Sequence, residues 1–477
     1  MNIHYTNIMF QRLLLSFIFL FLFASQVFAL DVVYPSSKNV TINAESTFVY
    51  GNVKPNETLK INSQGVKIWD EGVFVHVVPL YFGDNEITFE STLDGKKEVQ
   101  KYVITRNKPV TVESTPVEYL PKREGYYLYT RTNRNNCPVR SSASSSSKRV
   151  FDLPEGIVLY LAGQQGNYYK IEEQGKTDFW IHKDNIETPV LVSKRINAII
   201  KTPERYSDKY YDYVHIPVNY PVMYSLEQDN KKIKLVLYGV NNYKDTDDGL
   251  YNNLEFVFEN DDPVVGYEAY YQTNRFVFKR AKVADKINSY RPLHNVRIFI
   301  DAGHGGSEKG AIGPTRVNEK DINLSIAKKL INELQKEGAI VSYSRVDDSQ
   351  VQLYDRVQMA KDNNAFILLS IHNNSLPNGK NPFIQHGAET YYYNDNAKVL
   401  GYIIQNNLVK DLGLNDSGLR KNRFALNSST NPISVLVEVA YMINPTEYKQ
   451  LQSPTFQDDV AKSLTKSLKE FMVVLKK

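Results

Sequence analysis

The chain changes its hydrophobic rhythm near residue 293. Upstream, short runs alternate apolar and polar positions and are broken by Asn, Gly and Pro, as in "STFVYGNV", "KIWDEGVFVHVVPLYFG" and "NEITFEST". A period of two sends successive side chains to opposite faces of a strand, so these runs predict a small β-sandwich over residues 31–119. Trp69 and His76 are read there as packing residues. Residues 124–189 hold five strand-like runs and a serine-rich turn, forming a second β unit. Its Trp180, Tyr168 and Tyr169 either line a glycan or peptide groove or fill the core. Residues 190–292 alternate again in "KKIKLVLYGV" and "NLEFVFEN" and predict a third β-rich domain. His215 and His294 lack a carboxylate at ligand spacing and are read as structural.

From residue 293 to 477 the runs become continuous: "NVRIFI", "AIVSYSR", "AFILLSI", "AETYYY" and "SVLVEVAYM". Ile322, Ile326, Leu330 and Leu334 recur every fourth residue, which predicts an amphipathic helix over 319–336 ended by Gly338. Val399, Ile403 and Leu408 mark another helix, and Val460, Leu464, Leu468 and Met472 a third over 456–475. Strands apolar on both faces, alternating with helices, predict a three-layer α/β domain with a mainly parallel sheet. The chain is therefore multidomain, with all-β modules followed by an α/β domain. Ligands of such sheets collect where strands end.

Composition narrows the chemistry. A net charge of +4 without a Lys/Arg block gives no footprint for nucleic acid. Cys137 is the one cysteine, which excludes an internal disulfide and a cysteine-rich metal site, so any metal ligands are His and carboxylates. At the start, Arg12 precedes an apolar core from Leu13 to Phe23 and a small residue at Ala29. That pattern predicts a signal peptide over 1–29 and export to the periplasm or cell envelope. An uncleaved membrane anchor is the alternative, against which Ser25 and Gln26 interrupt the apolar run.

Four residues stand where strands end or helices begin. His304 follows "RIFIDAG", Glu319 opens the first helix, His372 ends "FILLSI", and Glu438 interrupts "ISVLVEVAY". A carboxylate within a run buried on both faces is costly unless paired, liganded or catalytic; a Glu facing solvent from an edge strand is the alternative. Two imidazoles and one carboxylate, with a fourth position open, form the donor set of a catalytic zinc site. His304, Glu319 and His372 meet that description and would hold one Zn2+ per chain. Glu438 suits the transfer of a proton from water to a departing nitrogen. Asp301, Ser370 and Asn373 flank the ligands, either orienting imidazole N–H groups or serving as turn and cap residues.

Residues 296–475 resemble the zinc-dependent N-acetylmuramoyl-L-alanine amidases that cut peptidoglycan. The resemblance rests on "IDAGHGGSEKGAIGP", "NEKDINLSIAKKL", "SYSRVDD", "LYDRVQMA", "LLSIHNNS", "GAETYYY" and "LVEVAYMINPTEYKQL", in that order. It implies His304, Glu319 and His372 as metal ligands and Glu438 as the acid/base. It also implies peptidoglycan as partner and the bond between N-acetylmuramic acid and L-alanine as target. Glu308 replaces a commoner Asp, and "EVAYMIN" replaces the commoner "E-x-G-F-x-x-N", which touches the substrate floor but no ligand. Some such amidases carry an inhibitory helix before the "GAET" strand; here only "NNSLPNGKNPFIQHG" intervenes, so a site open without an activator is expected. His386 in that segment is read as a surface residue, and Arg420 and Arg423 either contact acidic stem groups or are solvated.

Upstream, "VRSSAS", "LPEG" and "FWIHKDNI" resemble the bacterial Src-homology-3-type barrel. Residues 31–119 resemble immunoglobulin-like modules of bacterial surface proteins, and 190–292 resemble wall-targeting β modules. Division-site or cell-wall proteins are candidate partners; a membrane is one only if the leader is retained. Two rival readings remain: a zinc peptidase acting on stem or cross-bridge peptides, and a non-catalytic wall-binding scaffold.

Overall fold

The computed structural model describes residues 30–109, 116–119, 125–172, 178–195, 198–229, 231–242, 253–259, 263–282 and 287–476. The expected leader lies outside these described residues. Among them, no helix is long and apolar enough to cross a membrane.

Residues 31–106 make two sheets, one from Asp31–Tyr34, Ser46–Asn52 and Val73–Pro79, the other built around the long hairpin of Gly83–Leu93 and Lys96–Arg106. Side chains alternate along Ser46–Asn52. Val49 therefore enters the sandwich core with Phe74 and Phe89, while Phe48 and Tyr50 turn outward into a cluster shared with the C-terminal domain. Both faces of this strand are covered, and Thr47 within it is fully buried.

The second unit is one antiparallel sheet that takes in Glu118–Tyr119 and Val190–Val192 at its flanks, so it extends past the expected limits at 124 and 189. Trp180 is buried at 4% exposure, while Tyr168 and Tyr169 are half-buried, with the Tyr168 ring set against His182. In the third unit, a four-stranded and a three-stranded sheet share one core, centred on the stacked rings of Phe258 and Phe278. His215 bonds Tyr206 there and holds a structural place.

The C-terminal domain runs β1 (Arg297–Ala302), α1 (Glu319–Lys336), β2 (Ile340–Tyr343), α2 (Leu353–Asp362), β3 (Ile367–Asn374) and β4 (Ala388–Tyr392). It continues with α3 (Lys398–Leu412), β5 (Asp416–Lys421), β6 (Ile433–Tyr441), α4 (Pro445–Gln452) and α5 (Pro454–Leu475). Strand order is β2-β1-β3-β6-β4-β5, and every pairing is parallel except β4 with β6. Ile298 and Ile300 of β1 meet Ile322, Ile326 and Leu330 of α1 on one face, with α3 and α5 alongside. Phe299 and Leu368 meet Met359 and Ala360 of α2 on the other. Each fully buried aliphatic side chain contributes about 1.5–3 kcal/mol. The α1 stripe is the one its spacing predicts, and Gly338 follows it at φ 83°. In α3 the buried stripe is Leu400, Ile404 and Leu408; Val399, expected inside, is 46% exposed because it lies one position off that stripe.

The upstream sandwich seats directly beside the strand ends of this domain. Arg316 is paired with Asp31, Tyr50 donates to the Ile312 carbonyl, and Tyr34 and Thr47 both donate to Asn378. Trp69 stacks on Phe383, so its packing partner comes from another domain.

Candidate metal centre

Three strand ends and one helix start build the site. The chain leaves β1 through Gly303 and turns at His304, whose φ of 60° is left-handed. For a non-glycine residue that conformation costs roughly 1–2 kcal/mol. Two buried arginines hold it. Arg356 donates to the carbonyls of Ala302 and His304, both at 2.8 Å, and Arg345 donates to those of Ala302 and Gly303. Glycine is required at 303, where an added Cβ would stand 2.3 Å from His372 Cε1. At Gly310, with φ 69°, it would stand 2.4 Å from Glu319 Oε2.

Glu319 begins α1, where the helix dipole favours an anion. Its Oε2 accepts from the Ala311 N–H at 2.8 Å, and Oε1 accepts from Asn323 Nδ2 one turn on and from the Asn373 N–H. Glu319 lies 3.2 Å from His304 Nε2 and 3.0 Å from His372 Nδ1. One donor atom from each of the three residues falls within 4.8 Å of the others.

Electrostatics follow from this crowding. Burial pushes the Glu319 carboxyl up, but hydrogen bonds from His304 and His372 outweigh it and hold it well below the usual carboxylate range. Burial disfavours the charged His372 imidazole, yet the bond to Glu319 and the charge of Glu438 push it up to about 9. Glu438 is pushed up to about 8 by burial, opposed by His372 and reinforced by Glu319 and Glu389.

The donor set fits a divalent ion that accepts nitrogen and oxygen ligands. Two buried atoms at this place, His372 Nε2 and Glu438 Oε2, have no hydrogen-bond partner, and such atoms mark groups kept for something other than packing. Glu438 is not on an edge strand. It lies on β6 between β3 and β4, in one registered row with His372 and Glu389.

Other sequence candidates fall differently. Asp301 and Ser370 bond each other, and Asp301 pairs with Arg356 at 2.7 Å; neither bonds an imidazole N–H. Asn373 acts on Glu319, directly through its backbone and indirectly through Asn323. His386 bonds Glu447 at 2.7 Å and stays outside the donor cluster. Arg420 pairs with Glu389 and lines a groove of about 630 Å³ with Lys380, His386 and Tyr441. Arg423 is engaged instead by Asp152 of the second β unit. Glu308 is exposed. Arg345, Arg356, Asn323 and Glu389 escaped the sequence reading, although each lies in a segment that carries the resemblance. Their burial was the missing signal: none of the four is more than 6% exposed.

Comparison with known proteins adds an independent line. The family described as N-acetylmuramoyl-L-alanine amidase matches residues 298–470. A probable cell wall amidase, LytH, of Staphylococcus saprophyticus is 35% identical over 190 residues, covering 39% of this chain and 62% of that protein. LytH of Staphylococcus aureus is 30% identical over 254 residues, covering 52% of this chain and 77% of its own length. The solved N-acetylmuramoyl-L-alanine amidase from Clostridium difficile 630 is 33% identical, with a TM-score of 0.36, covering 38% of this chain and 98% of its own. The matched segment holds all five residues of the row and cluster described above, and by its likeness to the Staphylococcus aureus protein over most of that protein's length, within the same family match, the chain belongs to the N-acetylmuramoyl-L-alanine amidase family.

Proposed function

We propose that the chain is an exported, zinc-dependent amidase that hydrolyses the bond between N-acetylmuramic acid and the L-alanine of the stem peptide in peptidoglycan. The carrying observation is the gathering of three donor atoms within 4.8 Å, beside a partnerless Glu438 oxygen in the same registered row as His372. His304, Glu319 and His372 would hold the ion. Bound zinc supplies Lewis acidity and brings the pKa of water down to roughly 7.

The remaining work belongs to this chain's own side chains. Glu438 takes a proton from the attacking water and returns it to the departing amide nitrogen, a task suited to a buried carboxyl with a partnerless oxygen in the same registered row as His372. Glu389, fixed by Arg420, Asn374 and Tyr441, keeps a negative charge on the other side of Glu438 and so favours its protonated, donating form. Arg345 and Arg356 hold the His304 turn, and Asn323 holds the Glu319 carboxylate. The groove beside Glu389 gives the stem peptide a place to lie. No helix occupies residues 375–387, which supports a site that works without an activator.

The test is product analysis on purified sacculi with elemental analysis of the protein. Intact stem peptides freed from intact glycan, with one zinc per chain, is the expected result. Cleavage within the stem or cross-bridge would instead make the chain a zinc peptidase. Absence of any cleavage by metal-loaded protein would leave the scaffold reading.

A further inference from the structure

A second cleft opens at the other end of the catalytic sheet. Its volume is about 900 Å³, and its walls come from the second β unit at Arg149–Asp152, the third at Tyr267–Tyr270, and the catalytic domain at α2 and residues 421–430. Thr430 precedes β6, whose far half carries Glu438. At about 3.3 Å per strand residue, the two sites are separated by on the order of 20 Å.

The lining has two properties at once. Three of its four acidic groups are held by basic neighbours, Asp152 by Arg149 and Arg423, Glu268 by Lys279 and Lys361, and Asp395 by Lys421, while Asp355 shares the lining with Lys148. Such walls present polar edges with little net charge, which disfavours a polyanion and suits hydroxyl and acetamido groups. Three large rings also remain open to solvent: Tyr354 at 56%, Phe424 at 40% and Tyr270 at 38% exposure. Flat rings among paired polar groups complement a pyranose, which has an apolar C–H face and a polar rim.

A second exposed ring stands on the same sheet outside the cleft. Tyr206, Tyr213 and Lys279 face Glu268 along one registered row, and His215 and Val277 face Tyr270 along the next, two residues away. All of these side chains therefore stand on one face of the sheet. Tyr206 and Tyr213 stack at 4.5 Å, and Tyr206 is 46% exposed. Exposed rings at both Tyr270 and Tyr206 on one face suit a chain of sugars better than a single one.

We propose that this cleft binds an uncharged, N-acetylated glycan strand, so that the three domains together form a glycan-binding site separate from the metal centre. That the strand is wall glycan rests on the amidase reading; the binding itself does not. The probe is a soluble β-1,4-linked N-acetylglucosamine hexamer, titrated calorimetrically into the full chain and into its Glu438→Gln variant.

Saturable binding by both proteins is expected, unaffected by a chelator. Tyr270→Ala and Tyr354→Ala should each weaken it about tenfold, while Tyr270→Phe and Tyr354→Phe, which keep the ring, should bind within about threefold of the parent. Both tyrosines are exposed, so truncation opens no core cavity. No binding by the full chain, or equal binding by both alanine variants, would overturn the proposal. A protein that binds the hexamer but frees no stem peptide from sacculi would sink the amidase reading and leave this site standing; cleavage without hexamer binding would do the reverse.

Discussion

His372 and Glu438 are register partners on the adjacent parallel strands β3 and β6. The proposed metal ligand and the proposed proton carrier are thereby fixed by backbone hydrogen bonds rather than by a loop, which suits chemistry that tolerates little misplacement. Glu438→Gln keeps the shape but cannot accept a proton. Amide hydrolysis is expected to fall at least about a hundredfold, with zinc content by elemental analysis unchanged. Full activity in this variant would remove Glu438 from the mechanism.

The close approach of Gly303 to His372 yields a second expectation. A methyl group at 303 would stand 2.3 Å from the imidazole, against a backbone held by Arg345. The ring must therefore move away from Glu319. Gly303→Ala is expected to fold, as judged by its thermal transition, yet to bind zinc at least about tenfold more weakly, in line with the loss seen when groups that orient ligands are disturbed. Parental zinc affinity would show that the imidazole does not depend on this space.

Much of this site was legible because its residues break local rules. His304 sits in a glycine-rich turn and Glu438 in an apolar strand, and neither placement has a cheap structural reason. Asp301 was visible as a flanking polar residue, but its bond to Arg356 spans 55 positions and no local period encodes it. Trp180 shows the opposite failure: an aromatic side chain reads alike in a groove and in a core, and only the folded sheet buries it. The sandwich strand with Phe48 and Tyr50 reads as ordinary half-buried sheet until the catalytic domain covers its second face. Contacts between domains are thus the part that periodicity cannot carry.

Asp301 and Arg356 form an ion pair at 0% and 5% side-chain exposure. Burial alone would raise the Asp301 pKa, but Arg356, Ser344 and Ser370 outweigh it and hold it below the ordinary value. A depressed carboxyl stabilises the fold above its unfolded pKa of about 3.9, and that contribution fades as pH falls toward the lower folded value. Arg356→Met leaves the carboxylate buried without its charged partner, and its cost at pH 7 is expected to be about 3–5 kcal/mol in urea unfolding. The gap between parent and variant should narrow as pH falls from the burial-raised Asp301 pKa of the variant toward the depressed value of the parent. A gap that stays constant down to pH 2 would mean that the pair is not its source.

The segment after β3 gives the last expectation, because the upstream sandwich holds it in place. Asn378 Oδ1 accepts from Tyr34 at 2.9 Å and from Thr47 at 2.7 Å, while the Gly379 N–H donates to the Ser46 carbonyl and Phe383 stacks on Trp69. The same segment supplies Lys380, Ile384 and His386 to the groove beside Glu389. A strand of one domain thus orders one wall of the groove in another. Asn378→Ala deletes two side-chain bonds worth about 1 kcal/mol each, so local opening should rise about thirtyfold. Limited proteolysis with mass mapping is expected to show faster cleavage within residues 375–387, with zinc retained because no ligand is touched. Unchanged protection would mean that the sandwich only abuts this segment, and that its order comes from within the catalytic domain.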